Sequence, residues 1–220
     1  MSTAGGAGPA AAGGAADAVS PFKLASVLLQ YPTMALFDGL DYLDATAAGS
    51  SRSSREAFWR FLAWLRVTAP AEVAQHYVET FDLRRRCALY LTYYRFGDTR
   101  RRGMAMLEFK AAYRAAGFEP SDAELPDYLP MVLDFAALTP RGAALLRRHR
   151  ADLELLRHAL HEAGTPYADV ADAICAQLPR LGRRDLVLVR KALQGDGPPR
   201  EEVGLEPFAP PGYLTGEVRS

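Results

Sequence analysis

Apolar positions along the chain recur at three- and four-residue intervals, and no run shows the two-residue alternation or the β-branched density of strands, so helices are the predicted elements. Ser53 and Glu56 are spaced as a capping box, and Phe58, Phe61, Leu62 and Leu65 follow them, predicting an amphipathic helix over 54–68. Ser20-Pro21, Thr139-Pro140 and Thr165-Pro166 each offer a side-chain acceptor at an N-cap and a proline at the first helical position. Further helices are expected over 70–81 and 84–96, the second carrying Cys87, Tyr90, Leu91 and Tyr94 on one side and ending at Gly97. The next starts at Asp98 or Thr99, stripes Ala105, Phe109, Ala112, Tyr113 and Ala116 along one face, and closes at Gly117.

Residues 118–130 interrupt this rhythm with three prolines and four acids, Glu119, Asp122, Glu124 and Asp127, and no base, which predicts an acidic connector. Beyond it Asp127 is placed to cap a helix bearing Met131, Val132, Phe135 and Leu138, with Pro130 tolerated in its first turn. A longer helix is expected over 141–162, then two more over 167–178 and 183–194. The fold class is therefore all-α: one globular helical-bundle domain of nine or ten helices spanning 20–194. An Ala/Gly-rich leader over 1–19 and a Pro/Gly-rich tail over 195–220 lack the apolar content for core elements and read as disordered.

The chain has 220 residues, 49% hydrophobic and 24% charged, enough to bury one sizeable core. Its 26 basic and 26 acidic residues cancel, so no whole-molecule field draws it to nucleic acid or anionic lipid, and charge-driven recognition has to be local. No stretch has the roughly 18 to 20 consecutive apolar residues that cross a bilayer, and the leader lacks the h-region of a secretory signal. With only Cys87 and Cys175, far apart and in apolar patterns, neither a disulfide framework nor a cysteine zinc site is indicated, and a cytoplasmic location fits.

Candidate chemistry is sparse. No GxSxG, HExxH, glycine-rich phosphate loop or CxxC is present, which argues against an enzyme and against a bound cofactor. Glu154, His158, His161 and Glu162 share one helical arc, but Leu153, Leu156 and Leu160 lie opposite, so the arc reads as a solvated face and not as a metal site. Cys87 stands near Arg84, Arg85 and Arg86 but among Ala88, Leu89 and Leu91, as a buried structural thiol would. Those arginines, with Arg95 and Arg100 to Arg102, make a basic patch interleaved with Tyr90, Tyr93 and Tyr94; an arginine-rich helical nucleic-acid-binding regulator is the alternative reading that this patch supports. Opposite in sign, the connector sets Glu124 and Asp127 beside Tyr128, a combination suited to capturing a basic, partly apolar peptide.

Longer strings carry more than composition. YVETFDLRRRCALYLTYYRFGDTRRRGMAMLEFKAAYRAAGF over 77–118, ELPDYLPMVLDFAA over 124–137 and LASVLLQYP over 24–32 resemble the respiratory nitrate reductase assembly chaperones, the NarJ-type or delta-subunit family. The resemblance covers about 21–194. Glu124, Pro126 and Asp127 match the Glu-x-Pro-Asp-His type connector of the wider chaperones for molybdenum-containing redox enzymes, and Tyr128 stands where that group has histidine, so no imidazole proton chemistry carries over. The resemblance implies a non-catalytic protein that binds the N-terminal segment of the apo catalytic subunit. It keeps that subunit competent for iron-sulfur and molybdenum-cofactor insertion before membrane docking, with cofactor-biosynthesis proteins as further partners. On this reading an amphipathic peptide lays its apolar face on exposed aromatic surface near Tyr77, Phe81, Tyr94 and Tyr128, its basic residues meet Glu79, Asp82, Glu124 and Asp127, and Pro126 and Pro130 serve as the hinge.

Overall fold

The structure, a computed structural model, describes residues 19–120, 123–195 and 198. Apart from Val19, Gly195 and Pro198, the expected leader and tail lie outside the described residues, as does Asp122 of the connector. Twelve α-helices follow one another without a strand among the described residues: α1 (Pro21–Leu28), α2 (Met34–Asp38), α3 (Leu40–Ala48), α4 (Arg52–Val67), α5 (Pro70–Tyr77), α6 (Tyr93–Phe96), α7 (Arg100–Arg114), α8 (Leu129–Leu138), α9 (Pro140–Arg148), α10 (Arg150–Glu162), α11 (Tyr167–Ala176) and α12 (Arg183–Leu193). Ten of them have eight residues or more, and the all-α bundle matches the expectation from periodicity.

Caps and packing follow from the sequence. Ser20 accepts a hydrogen bond from the Phe22 amide at 3.3 Å, and Thr139 Oγ1 accepts one from Gly142 at 2.9 Å. Gly117, at φ 79°, closes the turn after α7, and the Phe118 amide reaches back to the Tyr113 carbonyl, as a Schellman motif requires. On α4, Ser54, Ala57, Phe58, Phe61, Leu62 and Leu65 are all buried, and they pack against α11, whose Val170, Ala173 and Ile174 are buried in turn. Ser54 donates to the Ala173 carbonyl at 2.9 Å, pinning the two helices together. Each fully buried Leu or Phe here contributes about 1.5–3 kcal/mol. Tyr167, almost fully buried, is the centre of an aromatic cluster with Phe61, Trp64, Tyr77 and Phe81. The rest of the core joins α8 to α9 and α1, and α10 to α11 and α12.

Several expected boundaries move. The helix over 54–68 begins at Arg52, and Glu56 pairs with Arg52 in place of closing a capping box with Ser53. The stretch 70–81 is α5 followed by a π-helical turn, Val78–Asp82. The helix expected over 141–162 is divided at His149, whose backbone (φ −96°, ψ 22°) leaves the helical region while its buried ring meets Asp152 at 2.8 Å. That bend lets Leu145 and Leu146 of α9 and Leu153 and Leu156 of α10 all enter the core although the two helices serve different neighbours.

The largest departure is at 84–96, which is not one helix. A 3-10 turn, Arg85–Cys87, leads into extended backbone, and α6 is a single turn. The cause is competition for the backbone groups. Leu89 and Leu91 pair with the connector, the Leu91 amide donating to the Asp127 carbonyl at 3.1 Å and the Leu129 amide to the Leu89 carbonyl at 2.7 Å, so Tyr90 and Tyr128 form an antiparallel bridge.

Candidate functional site

The connector is fastened to 88–92 by its side chains as well. Asp127 is fully buried, and it does not cap α8 as the sequence suggested. Its Oδ2 accepts from the Thr92 amide at 3.1 Å and the Thr92 hydroxyl at 2.5 Å, and Arg102 lies 3.7 Å away with its guanidinium over the rings of Tyr90 and Tyr93. Arg102 also donates to Thr92 Oγ1 at 3.3 Å. Pro126 is buried and its carbonyl accepts from the Tyr113 hydroxyl at 3.1 Å; Pro130 is buried in the first turn of α8. Asp127 therefore has no surface to offer a peptide, and it acts as the internal anchor of the connector.

Burial also removes three of the expected aromatic contacts. Tyr77 and Phe81 are 6% and 7% exposed, their rings 4.8 Å apart and turned toward Tyr167, and Tyr94 is 7% exposed with its hydroxyl donated to the Arg86 and Ala88 carbonyls. Tyr94 belongs to a different place, a cleft lined by Arg86, Leu155, His158 and Glu162. The exposed aromatic that the pattern did not single out is Tyr31, which stands edge-on over Tyr77 at 5.5 Å and is 54% exposed.

What does come together is an acidic face around tyrosine hydroxyls. The buried Tyr77 donates its hydroxyl to the Leu29 carbonyl at 3.2 Å beside Tyr128, and the charge of Asp82 acts on both phenols while that of Glu124 acts on Tyr128. Glu124 Oε1 accepts from the Tyr90 hydroxyl at 3.1 Å and from the Leu125 amide at 2.8 Å, and the Tyr90 and Tyr128 rings lie 5.6 Å apart. Glu79 is half-buried and accepts from Gln75; Asp82 is exposed. None of Glu79, Asp82 and Glu124 forms a salt bridge with another described residue. Burial first raises all three phenols above their ordinary value, with neighbouring Tyr128 next for Tyr77 and the Glu124 carboxylate adding for Tyr128 and Tyr90, which is pushed up to about 12, so these hydroxyls stay protonated.

The basic patch is less open than its composition suggests. Arg95 is bound to the buried Asp152, Arg102 to Thr92 and Asp127, and Arg84 to the Ala163 carbonyl. Cys87 is buried. On α10, Glu154 pairs with Arg150 and Arg157, and His161 with Asp172.

The family description "nitrate reductase delta subunit" matches residues 48–172, more than half of the chain and the whole of the connector and its partners. The chain belongs to that family. Among curated relatives, the probable nitrate reductase molybdenum cofactor assembly chaperone NarJ of Bacillus subtilis is 32% identical over 169 residues, covering 76% of this chain and 92% of that protein. The nitrate reductase molybdenum cofactor assembly chaperone NarJ of Escherichia coli K12 is 31% identical over 69% of this chain and 66% of its own length. The nitrate reductase-like protein NarX of Mycobacterium tuberculosis is 41% identical over 70% of this chain, which spans only 24% of that longer protein. In this delta-subunit chain, among the described residues, no helix is long and apolar enough to cross a membrane.

Proposed function

We propose that this protein is an assembly chaperone for a respiratory nitrate reductase, binding the N-terminal segment of the apo catalytic subunit in the cytoplasm. There it keeps that subunit competent for iron-sulfur and molybdenum-cofactor insertion until it docks at the membrane. Family membership supports the role, and the observation that carries the site is Asp82 and Glu124, neither in a salt bridge with another described residue, acting on Tyr128 beside the buried Tyr77. Uncompensated carboxylates beside tyrosines favour a basic, amphipathic helix: arginine or lysine of the client meets the acids, and its apolar face lies against Tyr31 and the half-buried Tyr128. Asp127 and Tyr94 act behind this face, by fixing the backbone that presents it. Position is what these residues supply, and no bond is made or broken.

Release requires that the face change. Pro126 and Pro130 bound the connector, and loss of the two backbone bonds to 89–91 would swing Glu124 and Tyr128 away from Tyr77. The test is complementation. In nitrate-respiring cells lacking their own delta-subunit chaperone, the chain should restore nitrate reductase activity and molybdenum content of the catalytic subunit. The Asp82→Asn, Glu124→Gln variant should restore far less at equal abundance. Failure of the parent chain with its cognate catalytic subunit would overturn the role, and full rescue by the variant would overturn the site.

A further inference from the structure

Helix α12 touches the body of the protein along a narrow strip. Val189 is buried and Ala192 packs partly against the core beside α10. At 100° per residue, Val187 falls opposite that strip, with Arg183 and Arg184 one turn before it and Arg190 and Lys191 one turn after. Val187 is 65% exposed, and Leu186 and Leu193 on its flank are 49% and 45% exposed. All four cations are exposed, and no side-chain partner is found for any of them among the described residues. Some arginines elsewhere are matched, Arg66 with Asp41 and Asp44 and Arg157 with Glu154 and Asp172, but Arg101, Arg114, Arg141, Arg147 and Arg180 have no side-chain partner among the described residues either; what sets α12 apart is four such cations on one face with apolar side chains among them. The one acid of the helix, Asp185, turns back to accept the Gly182 amide at 3.2 Å.

We propose that the outer face of α12 docks this protein reversibly on an anionic phospholipid surface. Four cations without a partner among the described residues, on an electrically neutral chain, make a local field that attracts phosphate headgroups, and Val187, Leu186 and Leu193 among them enter the headgroup–acyl boundary. Leu186 and Leu193, at one edge of the face, line clefts shared with α10, and across the face apolar and basic side chains are interleaved, not gathered into a stripe with a charged rim. The inference goes beyond the client reading and does not rest on it, because its test contains no client.

The full chain is floated with vesicles of equal parts phosphatidylglycerol and phosphatidylcholine, and with phosphatidylcholine alone, at low and high salt. It should float with the anionic vesicles only, and salt should release it. Arg190→Gln with Lys191→Gln should weaken binding about 25-fold, about fivefold per cation. Val187→Ser should weaken it while leaving the thermal midpoint unchanged, and the fourfold variant adding Arg183→Gln and Arg184→Gln should stay in the unbound fraction with parental circular dichroism. Absence of flotation with anionic vesicles, equal flotation of the fourfold variant, or binding to polyglutamate in place of the vesicles would each overturn the proposal.

Discussion

Replacing Asp127 by alanine separates an internal anchor from a client contact. Its Oδ2 holds both the amide and the hydroxyl of Thr92, and it is the fully buried countercharge 3.7 Å from Arg102. Each hydrogen bond to a charged acceptor is worth about 1.5–3 kcal/mol, and breaking a buried ion pair from one side costs about 3–5 kcal/mol. These overlap on one carboxylate, so the whole loss should be about 3–5 kcal/mol, and at about 2–4 °C per kcal/mol for a domain of this size the thermal midpoint should fall by about 6–20 °C. Asp127→Asn keeps the shape and an oxygen for Thr92 and should lose about half as much. Thr92→Val should be partly redundant with Asp127→Ala in a double-mutant cycle, with a coupling of about 1 kcal/mol or more. The assay is thermal and urea unfolding followed by circular dichroism. A parental midpoint for Asp127→Ala would refute this reasoning, above all if client binding were lost at the same time, because the carboxylate would then be touching the client.

Gly142 faces the Phe135 carbonyl so closely that an added Cβ would sit 2.2 Å from its oxygen; Gly142→Ala should cost about 3 kcal/mol through separation of α8 and α9, and an unchanged urea midpoint would contradict that. Burial raises both thiols, Cys175 to about 12, so neither should react with a disulfide reagent at pH 8 until the protein unfolds; rapid labelling of the native chain would contradict this. Burial pushes His76 below its ordinary value, against the pull of Glu79 and with help from Arg84. The unfolded chain then binds the proton more readily, so stability from this group should be full above about pH 6.5 and fall as pH drops through that value toward the folded one. His76→Gln should remove that part of the slope, and an identical slope in the variant would show that His76 is not its source.

Most of the fold could be read from periodicity because most of it is decided locally. The stripe Phe58, Phe61, Leu62, Leu65 faces inward, and the proline-marked starts at Ser20 and Thr139 carry the expected cap bonds. The largest failure falls where partners distant in sequence outbid the next turn of helix. Nothing near Tyr90 announces that 89–91 will pair with 127–129, yet those bonds take the Leu91 amide and the Leu89 carbonyl that a helix over 84–96 would have used. The same distance hid Thr92 and Arg102 as the partners of Asp127, and a carboxylate beside a proline reads equally well as a cap or an anchor. His149 broke its helix for a buried Asp152 that periodicity counts only as polar. Of the proposed site, Asp82 and Glu124 stand near the half-buried Tyr128 as the charge-beside-aromatic pattern suggested, while Glu79 turns to Gln75 and His76. The exposure of Tyr31 and the burial of Tyr77, Phe81 and Tyr94 were not legible, since helical spacing marks a face without saying what covers it.

The central claim is that an acidic tyrosine face holds the N-terminal segment of the catalytic subunit, and calorimetric titration with a peptide of that segment tests it most directly. The parent chain should bind in the micromolar range or tighter, about −8 kcal/mol or better, with binding weakened by salt. Asp82→Asn with Glu124→Gln should weaken it about tenfold at an unchanged thermal midpoint. No binding of a helix-competent peptide, or equal binding by the neutralised variant, would contradict the account.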